Sequence, residues 1–140
     1  MNFENWVTGT YSSSSLSSAV QRHSSHQGLK KFHKALHMAD AMLRNETVAD
    51  IALGKFTGFG STLLLITSNR VLLVKNTFQA GQIISLDLQA LDEAELSYTP
   101  LMGYTLSLAG HRLTRIPAPF AQSLRSLMVA DLANHWAQAA

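Results

Sequence analysis

From Thr47 onward the chain reads as a succession of short strands, and no helical stretch interrupts them before Ile116. This order most constrains the fold. Strands that alternate with helices build parallel sheets; strands joined only by turns build antiparallel ones. Val48 to Leu53 is the first strand and Gly54 ends it. Ser61 to Thr67 and Val71 to Lys75 follow, joined by the turn residues Ser68, Asn69 and Arg70. After a loop over 76–81, Gln82 to Leu88 places Ile84, Leu86 and Leu88 on one face. In Glu93 to Tyr98 the alternation points Ala94, Leu96 and Tyr98 inward, and Glu93, Glu95 and Ser97 to water. Pro100 to Gly103 breaks the chain, Tyr104 to Leu108 resumes it, and Ala109-Gly110 turns it into a last strand, His111 to Ile116. A sheet of about seven antiparallel strands must close or fold over to hide its apolar face.

Helical patterns flank this body. Leu29, Phe32, Leu36, Ala39 and Leu43 recur at spacings of three and four, opposite Lys30, Lys31 and Lys34, which predicts a helix over 27–44. Its stripe either packs on its own domain or pairs with a second copy. Pro117 and Pro119 stop the sheet, and Phe120, Leu124, Leu127, Met128, Leu132 and Trp136 mark a closing helix over 119–137. Residues 1–26 are crowded with serine and carry little apolar content, so they read as a flexible lead to a domain over 27–140.

The 140 residues suffice for one domain with a real core. The chain has no cysteine, which excludes disulfides, cysteine-ligated zinc and a thiol nucleophile. Hydrophobic residues make up 46% and charged ones 14%, against about 25% charged in typical soluble domains, so serine, threonine and amides must supply the polar surface. A net charge of +2 is too small for a polyanion-binding tail, and no broad basic stripe with interleaved aromatics speaks for nucleic acid. The start lacks a basic, then apolar, export signal, and runs such as Leu63 to Ile66 fall far short of the roughly 20 residues that span a bilayer. The expected location is cytoplasmic.

The stretch Gly60 to Val74 resembles the central hairpin of bacterial pleckstrin-homology-like (PH-like) domains of the YokE-like type, and is similar to the GRAM branch of that superfamily. A glycine, Gly60, opens a strand ending in Leu-x-x-Thr at Thr67, a short turn leads to Arg70, and an aliphatic run follows. Gln82 to Leu91 resembles the next segment, with Leu91 where the family more often has isoleucine. A helix before the first strand is also usual in that group. The resemblance covers roughly residues 27–136. It implies an α+β, mostly β fold: a PH-like barrel of about seven antiparallel strands, a C-terminal capping helix and an extra N-terminal helix. It also implies a non-enzymatic interaction module that binds a protein partner or itself. Peripheral binding to anionic membrane lipid through the first inter-strand loop is the alternative, and a small enzyme or a phage or assembly component is a further one.

Candidate chemistry is sparse. PH domains that grip inositol phosphates carry several basic residues in the first loop, and this loop offers Lys55 alone, with Phe56 and Phe59 as apolar wedges. The run from Gly54 to Gly60 is not a phosphate-binding P-loop, because Lys55 precedes the second glycine and a strand follows. Arg70 is placed to pair with Asp50, Asp87 or Asp92. His33 and His37 share a helix face, but a zinc site needs a third ligand. Asp92, Glu93 and Glu95 read as a charged guard on a sheet edge. His111, Arg112 and Tyr104 are the residues an enzymatic pocket would use. Neither catalytic residues nor a cofactor or metal site are assigned. The candidate interaction residues are Lys55, Phe56, Phe59, Arg70, Leu29, Phe32 and Leu36.

Overall fold

The structure, a computed structural model, describes residues 11–23, 27–43, 45–56, 60–76 and 83–129. Seven strands form one antiparallel sheet: β1 (Val48–Phe56), β2 (Gly60–Thr67), β3 (Arg70–Lys75), β4 (Ile83–Asp87), β5 (Glu95–Thr99), β6 (Gly103–Leu108) and β7 (His111–Ile116). Three α-helices accompany it: α1 (Ser14–Arg22), α2 (His33–Met42) and α3 (Ala118–Val129). The strand order is β4-β3-β2-β1-β7-β6-β5. Among the described residues the sheet is open, with β4 and β5 at its edges, so a closed barrel is not what these strands form.

The two halves of the sheet meet over only two register pairs, Lys55 with Thr114 and Phe56 with Leu113. Gly54 explains how they meet. A Cβ there would lie 2.7 Å from Leu113 Cγ and 2.8 Å from the Thr114 carbonyl. The glycine therefore does not end the first strand, as its turn propensity suggested. It sits inside β1, at the point where β7 comes closest.

Residues Ile51 to Gly54, Leu63 to Thr67 and Val71 to Val74 are buried without a break. Successive strand residues face opposite sides, so both faces of the β1–β3 part are covered. Helices α1 and α3 pack on β1, and α2 packs on β2 and β3. Residues of the other half, Leu106, Leu108, Leu113 and Ile116, complete the same core.

The serine-rich lead departs from the expectation of flexibility over Ser14–Arg22. Leu16, Ala19 and Val20 stand at helical spacing and are fully buried. Ser13 caps the helix, its hydroxyl accepting from the Leu16 amide at 3.2 Å. Asp40 of α2 accepts from the amides of Ser12 and Ser13 at 2.9 and 3.0 Å. Ser15 accepts from the Val48 amide at 2.8 Å, which ties α1 to the start of β1. Serine content alone hid a three-residue apolar stripe. Residues 1–10 and 24–26 lie outside the described residues.

The predicted 27–44 helix is two pieces, a 3-10 turn over Gln27–Phe32 followed by α2. The stripe is as expected: Leu29, Phe32, Leu36 and Ala39 are buried in their own chain. Asn45 follows at φ +59°, a left-handed conformation that asparagine tolerates. In the fourth predicted strand, Leu88 leaves the sheet for a 3-10 turn, Leu88–Leu91. Tyr98 was expected inside and is 60% exposed, its ring tilted against that of Tyr104 with centroids 4.9 Å apart. The strand carrying it is an edge, and its C-terminal end runs past the core. Helix α3 begins with Pro119 in its first turn and buries Phe120, Ala121 and Leu124; the expected continuation over 130–137 lies outside the described residues. Among the described residues no helix is long and apolar enough to cross a membrane.

Candidate binding surface

Arg70 starts β3 and turns back across the sheet end. It takes none of the three aspartates named from sequence. Its Nη2 reaches Glu46 at 2.7 Å and the Met42 carbonyl at 2.9 Å, and its Nε lies 3.1 Å from both Glu46 oxygens. Thr67 donates to Glu46 at 2.6 Å and accepts from the Asn69 and Arg70 amides. Glu46 is buried, so this fork is a tie between the α2 end and the β2–β3 turn. Glu46 carried no sequence signal, since it stands alone in a connection.

A second tie surrounds Asp50, which is 2% exposed. His23 Nε2 lies 2.9 Å from Oδ1, the Ile51 amide donates to the same oxygen at 2.9 Å, and Ser123 donates to Oδ2. Arg22 approaches at 3.7 Å and donates to the Ala49 carbonyl. A serine, a histidine and an aspartate thus meet, but in the wrong order for nucleophilic catalysis. The carboxylate stands between the other two, so no base is bonded to the hydroxyl. The cluster pins α1, β1 and α3 together, and the His23 ring lies on Phe120 at 4.4 Å.

The residues of the enzymatic alternative do not converge. Tyr104 pairs with Ile116 and His111 with Leu108, at opposite ends of one hairpin, and Arg112 is exposed. His33 Nδ1 lies 3.2 Å from the Lys30 carbonyl, while His37 packs on Tyr11. No group of three His, Asp or Glu that could hold a metal occurs among the described residues. A polar cleft of about 630 Å³ opens beside Ser12, Ser13, Ser15, Asp40 and Glu46, but both carboxylates are already engaged in the ties above.

The remaining feature lies where the two half-sheets meet. A cleft of about 170 Å³ is lined by Lys31, Lys55, Arg115, Phe32, Leu53 and Ser61. Its three cations come from the 27–32 turn, β1 and β7. Arg115 reaches it through a β-bulge. Between the pairs Tyr104–Ile116 and Leu106–Leu113, β7 has one residue more than β6. Arg115 stands in that bulge at φ +56°, and its amide donates to the Met102 carbonyl at 3.0 Å. The sequence did contain a signal for this. Leu113 and Ile116 are both apolar and three residues apart, a spacing that puts them on one face of a strand only if an extra residue intervenes.

That same hydrogen bond brings the β5–β6 turn alongside the cleft. The turn is apolar and exposed: Leu101 is 78% accessible and Met102 39%, next to Tyr98. Strand β5 pairs on one side only among the described residues. Phe56, by contrast, is folded onto the sheet against His111 with ring centroids 5.5 Å apart, so it is not a wedge. Phe59 lies outside the described residues. Of the seven interaction residues named from sequence, Lys55 and Phe32 line this cleft; Leu29 and Leu36 serve the core, and Arg70 the tie to Glu46.

Comparison of the chain with protein-family models, curated proteins and solved structures found no match in any of the three.

Proposed function

We propose that this chain is a non-enzymatic binding module of PH-like architecture that takes an extended segment of a protein partner at the β5–β6 end of its sheet. The PH-like reading is supported by the element order: two antiparallel meanders, β1–β4 and β5–β7, joined where β7 pairs with β1, followed by a helix packed on β1. The binding reading rests on one observation. Tyr98, Leu101 and Met102 are the large apolar side chains most exposed on the sheet, and they border its edge strand β5. A free edge offers backbone hydrogen bonds to an added strand, and the neighbouring apolar side chains supply pockets or anchors for it. Glu95 at the other end of β5 is exposed, and a charged side chain on a free edge discourages sheet-to-sheet pairing.

Self-association through Leu29, Phe32 and Leu36 loses its surface, because these residues are buried in their own chain. The lipid reading loses Phe56 as a wedge for the same reason. The test is selection of peptides from a random displayed library against the full chain, followed by affinity measurement and amide protection. Binders should protect amides of Glu95–Thr99 and weaken at least tenfold, a loss of about 1.4 kcal/mol, on Leu101→Asp. Recovery of no peptide, or of binders indifferent to that substitution, overturns the proposal.

A further inference from the structure

We infer that the segment taken by β5 is basic at one end and apolar at the other, a partner chemistry that rests on the edge reading above and narrows it. The free edge itself has two unlike ends. At its start stand Glu95 on the strand and Asp92 and Glu93 in the turn before it, all exposed. None of these three carboxylates has an ion pair among the described residues, whereas Glu46 and Asp50 are each engaged. Arg112 stands across β6 from Glu95, through Ser107, and does not pair with it. At the far end stand the exposed Tyr98, Leu101 and Met102.

Register fixes which face each end uses. Glu95 pairs with Ser107 and Tyr98 with Tyr104, so the two side chains lie three positions apart on opposite faces of the sheet. A strand added beyond β5 places each side chain on the same face as the residue it opposes, about 5 Å away. The residue opposite Tyr98 then lies against an exposed ring that Tyr104 already backs. A large apolar side chain gains most there. The residue opposite Glu95 lies on the other face, beside a carboxylate with no cation of its own. Lysine or arginine there gains a cross-strand ion pair, and an acidic residue is repelled. Asp92 and Glu93 extend that preference beyond the start of the strand. The partner pattern is therefore a basic residue three positions from an aromatic or large aliphatic one. The charge that guards the edge against indiscriminate pairing selects a strand of opposite charge.

The experiment measures the affinity of the full chain for three sets of short threonine-rich peptides that differ at one position. Each peptide carries one phenylalanine, and the residue three positions from it is lysine, glutamine or glutamate. That residue precedes the phenylalanine in half of each set and follows it in the other half, so both strand directions are covered. Amide protection locates the bound peptide. The lysine set should bind about three- to fivefold more tightly than the glutamine set, and the glutamate set more weakly again. Glu95→Lys should reverse that order. Gln21→Lys, at an exposed position of α1, adds positive charge elsewhere and should preserve it. Peptides that protect Glu95–Thr99 but bind equally in all three sets overturn this inference and leave the edge reading standing. Binding by none of the sets overturns both. A free chain that sediments as a dimer, with Glu95–Thr99 already protected, shows the occupant to be a second copy and also overturns the inference.

Discussion

Asp50→Ala should be strongly destabilising. The carboxylate is 2% exposed and serves three donors, from His23, Ile51 and Ser123, with Arg22 at 3.7 Å. Alanine leaves these donors without an acceptor. Each buried donor so stranded costs about 1–3 kcal/mol, and removing one member of a buried charged cluster costs about 3–5 kcal/mol. Ser123 is only partly buried and Arg22 is half exposed, so water recovers part of the loss. The expected destabilisation is about 3–4 kcal/mol, a large share of the roughly 5–15 kcal/mol that holds a domain. Urea unfolding followed by circular dichroism should show the midpoint falling by about 1–3 M at unchanged slope. Asp87→Ala, on exposed β4, should stay within about 0.5 kcal/mol. A double-mutant cycle with Ser123→Ala should be non-additive by about 0.5–3 kcal/mol. An Asp50→Ala loss below about 1 kcal/mol would refute the claim that this cluster joins α1, β1 and α3.

Gly54→Ala should destabilise by about 1–3 kcal/mol in the same assay, because its Cβ would sit within 3 Å of Leu113 and of the Thr114 carbonyl. Tyr11→Phe should be neutral or stabilising, since the Tyr11 hydroxyl is buried without a hydrogen-bond partner among the described residues. Burial, with the Asp40 charge beside it, pushes the Tyr11 phenol up to about 12. The folded state then holds this proton more tightly than the unfolded chain, so the stability it contributes is full below pH 10 and is lost as pH rises toward 12. Stability against pH, compared between wild type and Tyr11→Phe, should show that alkaline loss in the first protein only.

Much of the fold was legible because burial imposes a period. All seven strands were placed, and the stripe of Leu29, Phe32, Leu36 and Ala39 was read correctly even though a 3-10 turn and an α-helix share it. Misreadings came where composition and local propensity were used in place of spacing. Serine density masked Leu16, Ala19 and Val20, and the turn propensity of Gly54 outweighed the continuation of β1. Tyr98 followed the alternation of its strand, but alternation does not say where the core ends along it. The polar ties were illegible for a different reason. Asp50 meets His23 and Ser123 across separations of 27 and 73 residues, and nothing local distinguishes such partners from any other aspartate, histidine and serine. The same holds for the cleft, whose cations stand at positions 31, 55 and 115.

The corner of the sheet and the bulge in β7 are one geometric solution. Strand β7 approaches β1 at Gly54, where a side chain would keep them apart. To meet β1 over Leu113 and Thr114 while still pairing with β6 through Ile116, β7 takes up one extra residue. That residue lies in the bulge, where Arg115 stands at φ +56°. Gly54→Ala should therefore lower stability by forcing the two half-sheets apart, whereas Lys55→Gln, on the neighbouring exposed position of β1, should stay within about 0.5 kcal/mol. If the two substitutions cost the same, the close approach at Gly54 does not hold the corner.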